Sequence, residues 1–242
     1  MIRIDLVYVK EIAMNRLGNV KDWNVVKNWK FLLVGLAVVA LNVLTQLAMF
    51  ALPNFDGNNL LIAAVLLLLA VVLGLILTGK LGLWKGEQKW GMVANVGFVV
   101  LAFIVMFGLK IIGGQLIMLE EGYGQTTANQ EIINNSGLPT LVLFLFAVFF
   151  APVLEELLFR GILMGRVFGK DSIVGLLLSS FLFGLIHNPT NIGSWVVYGG
   201  MGLVLGLAYR ISGKYTNALI LHSLNNLLGF LLMLLMQSLG LI

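Results

Sequence analysis

Long apolar runs, rather than amphipathic periods, organise this chain. They fall at 31–52, 60–78, 91–112, 138–167, 172–187, 192–211 and 216–241, separated by short polar or glycine-containing breaks. A helix needs about 20 apolar residues to cross the hydrocarbon of a bilayer. The pattern therefore predicts seven transmembrane helices, or eight if the last run breaks at Gly229. Residues 1–30 read differently: basic and acidic residues alternate with Ile4, Leu6, Val7, Val9 and Ile12, as in an amphipathic helix on the membrane surface. This stretch has neither the continuous apolar core nor the small-residue site of a cleavable signal. The expected fold class is all-α, a polytopic transmembrane bundle, with a cytoplasmic amphipathic segment 1–30 and a single membrane domain 31–242.

Composition agrees. The 242 residues are 60% hydrophobic and 11% charged, with a mean hydropathy of +1.00, against roughly 25% charged in an average soluble domain. The net charge of +4 does not point to nucleic acid, because in a membrane chain basic residues mark the cytoplasmic side. Six of them precede the first run, Lys80, Lys85 and Lys89 follow the second, Arg160, Arg166 and Lys170 lie in or after the fourth, and Arg210 and Lys214 follow the sixth. The intervening loops carry Asp56, Glu120, Glu121 and Glu131, with Lys110 as their one cation. This alternation places the N-terminus in the cytoplasm and the C-terminus outside. The segment 113–137, rich in Gly, Asn, Gln and Thr, reads as a long mobile extracytoplasmic loop. Gly202-x-x-x-Gly206 reads as close helix packing within the bundle. With no cysteine, a thiol nucleophile and disulfides are excluded.

Ionisable side chains within apolar runs are costly and point to function. The fourth run contains Glu155-Glu156-Leu157-Leu158-Phe159-Arg160, the fifth ends Phe183-Gly184-Leu185-Ile186-His187, and the seventh contains His222-Ser223-Leu224-Asn225-Asn226. Glu156 and Arg160, four apart, share a helix face with the acid first, the favourable order for an ion pair. Glu155 points about 100° away and is left for chemistry. His222 and Asn226 share a face, with Asn225 close enough to substitute. Pro152 leaves the carbonyl of Val148 without its helical donor. At 1.5 Å per residue from the basic loops, Glu155 lies about 16 Å deep, His222 about 12 Å and His187 about 24 Å, so the fifth helix must tilt or shift to bring the three level.

A carboxylate, two imidazoles and an amide in one low-dielectric cavity suit attack of water on a peptide carbonyl. Glu155, His187 and His222 could equally ligate Zn²⁺ with one position open. Other intramembrane hydrolase chemistry is disfavoured: no aspartate lies in a run, and there is no His-Glu-x-x-His or Gly-x-Ser-x-Gly.

Glu155-Glu156-x-x-x-Arg160, Phe183-x-x-x-His187 and His222-x-x-x-Asn226, in that order within 138–228, resemble the three motifs of the CAAX protease and bacteriocin-processing family, also called CPBP or Abi, which includes the type II CAAX prenyl endopeptidase. The resemblance implies an intramembrane protease in which Glu155 activates water. It further implies that Glu156 and Arg160 support Glu155, that His187 and His222 are the imidazoles of the site and that Asn226 donates to the oxyanion. The expected surroundings are a bacterial cell membrane and a peptide or protein substrate. A different class of reading is a non-catalytic membrane regulator, scaffold or bacteriocin-immunity protein that binds through the same cavity; a third is a solute or proton pathway.

Overall fold

A computed structural model describes residues 25–240 except 53, 87 and 88; the amphipathic helix expected before residue 25 lies outside the described residues. Among the described residues eight helices follow one another: α1 Val25–Phe50, α2 Gly57–Lys80, α3 Met92–Glu121, α4 Ala128–Asn134, α5 Thr140–Val167, α6 Ile173–Leu185, α7 Ile192–Ser212 and α8 Tyr215–Ser238. All except α4 and α6 are long and apolar enough to cross a membrane. The 13 residues of α6 extend only about 20 Å, less than the roughly 30 Å of hydrocarbon, so of the seven predicted runs six form helices long enough to span and the fifth forms a shorter apolar helix. α8 runs unbroken through Gly229, which removes the eight-helix alternative.

The long loop expected at 113–137 is not found. α3 continues through Gly113 and Gly114 to Glu121, because a glycine at 113 lets α3 press against α7: a Cβ there would lie 2.7 Å from the carbonyl oxygen of Gly193 and 2.5 Å from Val197 Cγ2. Further along, α4 forms with Thr127 as its cap, the hydroxyl accepting from the amide of Gln130. Two further glycines of α7, Gly202 and Gly206, face its other neighbour, α6. A Cβ on Gly202 would meet the Ser180 carbonyl at 2.8 Å, and one on Gly206 would meet Leu176 at 2.5 Å. The Gly202-x-x-x-Gly206 pair thus packs inside the bundle, as expected.

Along α5 the backbone leaves the α-helical pattern twice. Leu145–Phe150 and Leu157–Val167 wind as wider π-helix around an α-helical piece, Ala151–Glu156. The amide of Ala151 reaches back five residues to the carbonyl of Phe146. Pro152 has no N–H to continue the ordinary ladder, and a wide turn before it is the local response; such turns recur at functional sites. The acid pair follows immediately.

One end of the bundle gathers the basic loops. Lys89 Nζ donates to the carbonyl of Ile211 at 3.2 Å, Arg166 donates to the carbonyl of Leu81, and Asn28 at the start of α1 reaches the carbonyl of Val167. At the opposite end Glu120 accepts from the amides of Ile192 and Gly193 at 3.2 and 3.0 Å, a favourable place for a carboxylate because helix N-termini carry partial positive charge.

Candidate active site

α5, α6 and α8 bring the three motifs together. Glu156 and Arg160 are fully buried and paired, Oε1 to Nη1 at 2.9 Å. The same Oε1 lies 2.8 Å from His222 Nδ1, and Arg160 Nη2 donates to the carbonyl of Gly202 on α7 at 2.7 Å. Arg160 also lies over the ring of Phe183, 4.5 Å from its centroid. One carboxylate and one guanidinium therefore join α5 to α7 and α8.

Glu155 points the other way, as its 100° offset requires. Its Oε2 has no hydrogen-bond partner and stands 3.8 Å from His187 Nε2 and 3.9 Å from His222 Nε2. His187 reaches this centre because α6 stops just before it: Asn188 takes a left-handed conformation, φ 50°, and Pro189 follows. The irregular chain after Leu185 is tolerated at membrane depth because it borders a cavity. His187 Nδ1 lies 2.7 Å from the carbonyl of Phe183, an oxygen that only accepts, so this nitrogen carries the proton. The carboxylate of Glu156 assigns the same tautomer to His222. In the neutral state both Nε2 lone pairs then face Glu155 Oε2, making a cluster of acceptors with no donor among the three groups.

That donor set suits zinc chemically, since metal-bound imidazoles usually donate their other N–H to a carbonyl or carboxylate. The spacing is wider than zinc requires. Ligands about 2.0–2.1 Å from a tetrahedral ion lie about 3.4 Å from one another, and among the described residues no three His, Cys, Asp or Glu side chains are grouped to hold a metal. A water molecule about 2.8 Å from each group matches the separations found.

Asn226 donates through Nδ2 to the carbonyl of Ala147 at 2.8 Å and accepts from Asn225 at 2.9 Å. One of its two amide hydrogens remains available. Sequence reasoning passed over Tyr198, whose ring stacks on His187 with centroids 4.4 Å apart and planes 15° apart. Its hydroxyl shares a 2.8 Å hydrogen bond with Thr127 and accepts from Asn129 at 3.2 Å, so it fastens α4 beside the site. A hydroxyl in an apolar run that must find a buried partner was the available signal.

Two cavities meet here. A larger one of about 450 Å³ runs between α1 and α5, apolar along Val38, Phe150 and Leu158, and reaches Glu155 and His187. A smaller one of about 100 Å³ lies beyond His187 and Asn226 and is lined by Lys110, Asn129, Gln130 and Asn225.

A membrane-embedded helical bundle with a buried centre of carboxylates and imidazoles is the class that fold and site define together. Within it, residues 137–228 match the family described as Rce1-like, type II CAAX prenyl endopeptidase, and the chain thus resembles that family over the segment carrying all three motifs. The chain is 31% identical over 121 residues to the membrane-embedded CAAX protease MroQ of Staphylococcus aureus, covering 46% of this chain and 47% of that protein. It is 27% identical over 140 residues to the UPF0177 protein YvdC of Lactococcus lactis, covering 57% and 53%. To the putative membrane peptidase YdiL of Bacillus subtilis it is 22% identical over 159 residues, covering 65% and 64%. The chain thus spans about half to two thirds of the length of these relatives. No solved structure matches it.

Proposed function

We propose that this chain is an intramembrane endopeptidase that hydrolyses a peptide bond of a membrane-associated peptide or protein with water activated by Glu155. The observation that carries the reading is the unpartnered Glu155 Oε2 facing two imidazole nitrogens at 3.8 and 3.9 Å inside the bundle. Three acceptors around one point suit a water, which donates one hydrogen to Glu155 and one to an imidazole and leaves an oxygen lone pair for the substrate carbonyl. As the oxygen attacks, Glu155 takes the proton and the free amide hydrogen of Asn226 meets the developing oxyanion. When the tetrahedral species collapses, the same proton passes to the departing amine. Glu156 and Arg160 hold His222 in its tautomer, and Tyr198 and Phe183 fix the plane of His187.

The reading is metal-free. Zinc held by Glu155, His187 and His222 would instead polarise the same water, and prolonged dialysis against a strong chelator discriminates: retained cleavage by zinc-free protein is expected, and loss restored by zinc overturns this part. Orientation follows the basic loops, which face the cytoplasm in this proposal.

The test of the whole is cleavage of a membrane-peptide pool by the full chain in proteoliposomes. Glu155→Gln and His222→Ala are each expected to lower the rate at least about 10²-fold, the usual contribution of a positioned acid or base. Wild-type rates in both variants would overturn the mechanism and favour a non-catalytic binding role for the cavity.

A further inference from the structure

Lys110 has no part in the mechanism above, and its surroundings are unusual. It lies in α3, well inside a span, where an isolated ammonium is costly and signals function. Packing fixes its level: Gly113 meets Gly193 and Val197, and Leu109 meets Gly200, so Lys110 stands level with Tyr198 and, through the stacked rings, with His187. No ion-pair partner is found for it among the described residues. The carboxylates nearest to it along α3, Glu120 and Glu121, are engaged at the start of α7.

The small cavity that Lys110 lines is walled partly by apolar side chains such as Ile133, Leu143 and Phe230 and partly by side-chain amides, of which Asn129 and Gln130 each keep one amide hydrogen beyond the bond already donated. Asn129, Gln130 and Asn225 border it, and His187 and Asn226 lie between it and the larger cavity. A cation with side-chain amides around about 100 Å³ is complementary to a small anion. That volume accommodates a carboxyl group.

We propose that Lys110, with Asn129 and Gln130, forms a subsite for a carboxylate of the peptide substrate, adjoining the reacting centre on the far side of His187 and Asn226 from the apolar cavity. The inference rests on the protease reading for what the ligand is, not for whether a carboxylate binds. Two sources share this chemistry, a C-terminal carboxylate and the side chain of Asp or Glu.

Binding is read separately from cleavage, using full-length Glu155→Gln protein in nanodiscs of zwitterionic lipid. The probes are fluorescein-labelled peptides, one apolar ten-residue segment made in three forms: with a free C-terminal acid, with a C-terminal amide, and with an amide plus a penultimate Glu. The free acid is expected to bind about tenfold or more tightly than the plain amide, as for one hydrogen bond to a charged group. Lys110→Gln should erase that difference, and Lys110→Arg should keep most of it. Tighter binding of the Glu-containing amide alone also supports the subsite and assigns it to a side chain. Equal binding of all three forms, or a preference that survives Lys110→Gln, overturns it whether or not the wild type cleaves peptides. Absence of cleavage by wild-type protein, with the acid preference intact, would sink the protease reading and leave the subsite standing.

Discussion

At the residue scale, two adjacent glutamates have different surroundings because a helix turns 100° between them. Glu156 is enclosed with Arg160 and His222, whereas Glu155 borders a cavity with one oxygen unpaired. Removing one member of a buried pair strands the other, at about 3–5 kcal/mol. Glu156→Ala should therefore lower thermal stability of the purified chain by that order, and Glu156→Met with Arg160→Met should recover most of it without recovering cleavage. An unchanged melting temperature for Glu156→Ala would show the pair to be structurally idle. Spacing alone foretold this pair, and the common face of His222 and Asn226. It did not foretell that Asn226 would hold the carbonyl of Ala147, because that carbonyl belongs to a wide-turn segment 79 residues away.

At the scale of elements, helix limits were legible wherever hydrocarbon alone decides them. The starts of α7 and α8 and the end of α5 fall within a residue of the apolar runs. Two elements were hidden because tertiary contact decides them. The polar end of α3 stays helical against α7, and seven residues of a supposed loop form α4, held to Tyr198. The π-helical turns of α5 were also invisible, although Pro152 marked their place. The glycine contacts can be tested by adding a methyl group. At Gly193 it would fall 2.6 Å from the carbonyl oxygen of Gly113 and the amide nitrogen of Ile117, while at Gly229 it meets nothing within 4 Å. Gly193→Ala should destabilise by about 1–3 kcal/mol, the usual effect of overpacking. Gly229→Ala should be neutral or gain up to about 1 kcal/mol from helix propensity. Thermal unfolding in detergent separates these outcomes, and equal melting temperatures would contradict the α3–α7 contact.

For the whole molecule, the basic loops meet at one end and Glu120 and Glu121 sit at the other. The chain has no cysteine, so single introduced thiols report orientation cleanly. In intact cells, a membrane-impermeant maleimide is expected to label Glu131→Cys directly and Lys85→Cys only after permeabilisation. The reverse result would invert the topology proposed above. The convergence of three motifs was foreseeable only as a requirement, since the level of His187 depends on where α6 stops and how α5 winds.

The Arg160 and Glu156 contacts also bear on how the protein is made. Their further partners Gly202 and His222 follow 42 and 66 residues later in the chain, so α5 leaves the ribosome before the groups that complete the hydrogen bonding of its ion pair exist. A charged residue at the centre of a lone helix costs about 2.5–3.5 kcal/mol to insert, and α5 carries Glu155 besides the paired Glu156 and Arg160. Its integration is therefore expected to be postponed, with the helix held at the insertion machinery until α7 and α8 arrive. A chain ending after Ser212 should leave α5 accessible to carbonate extraction or protease, while the full chain should not.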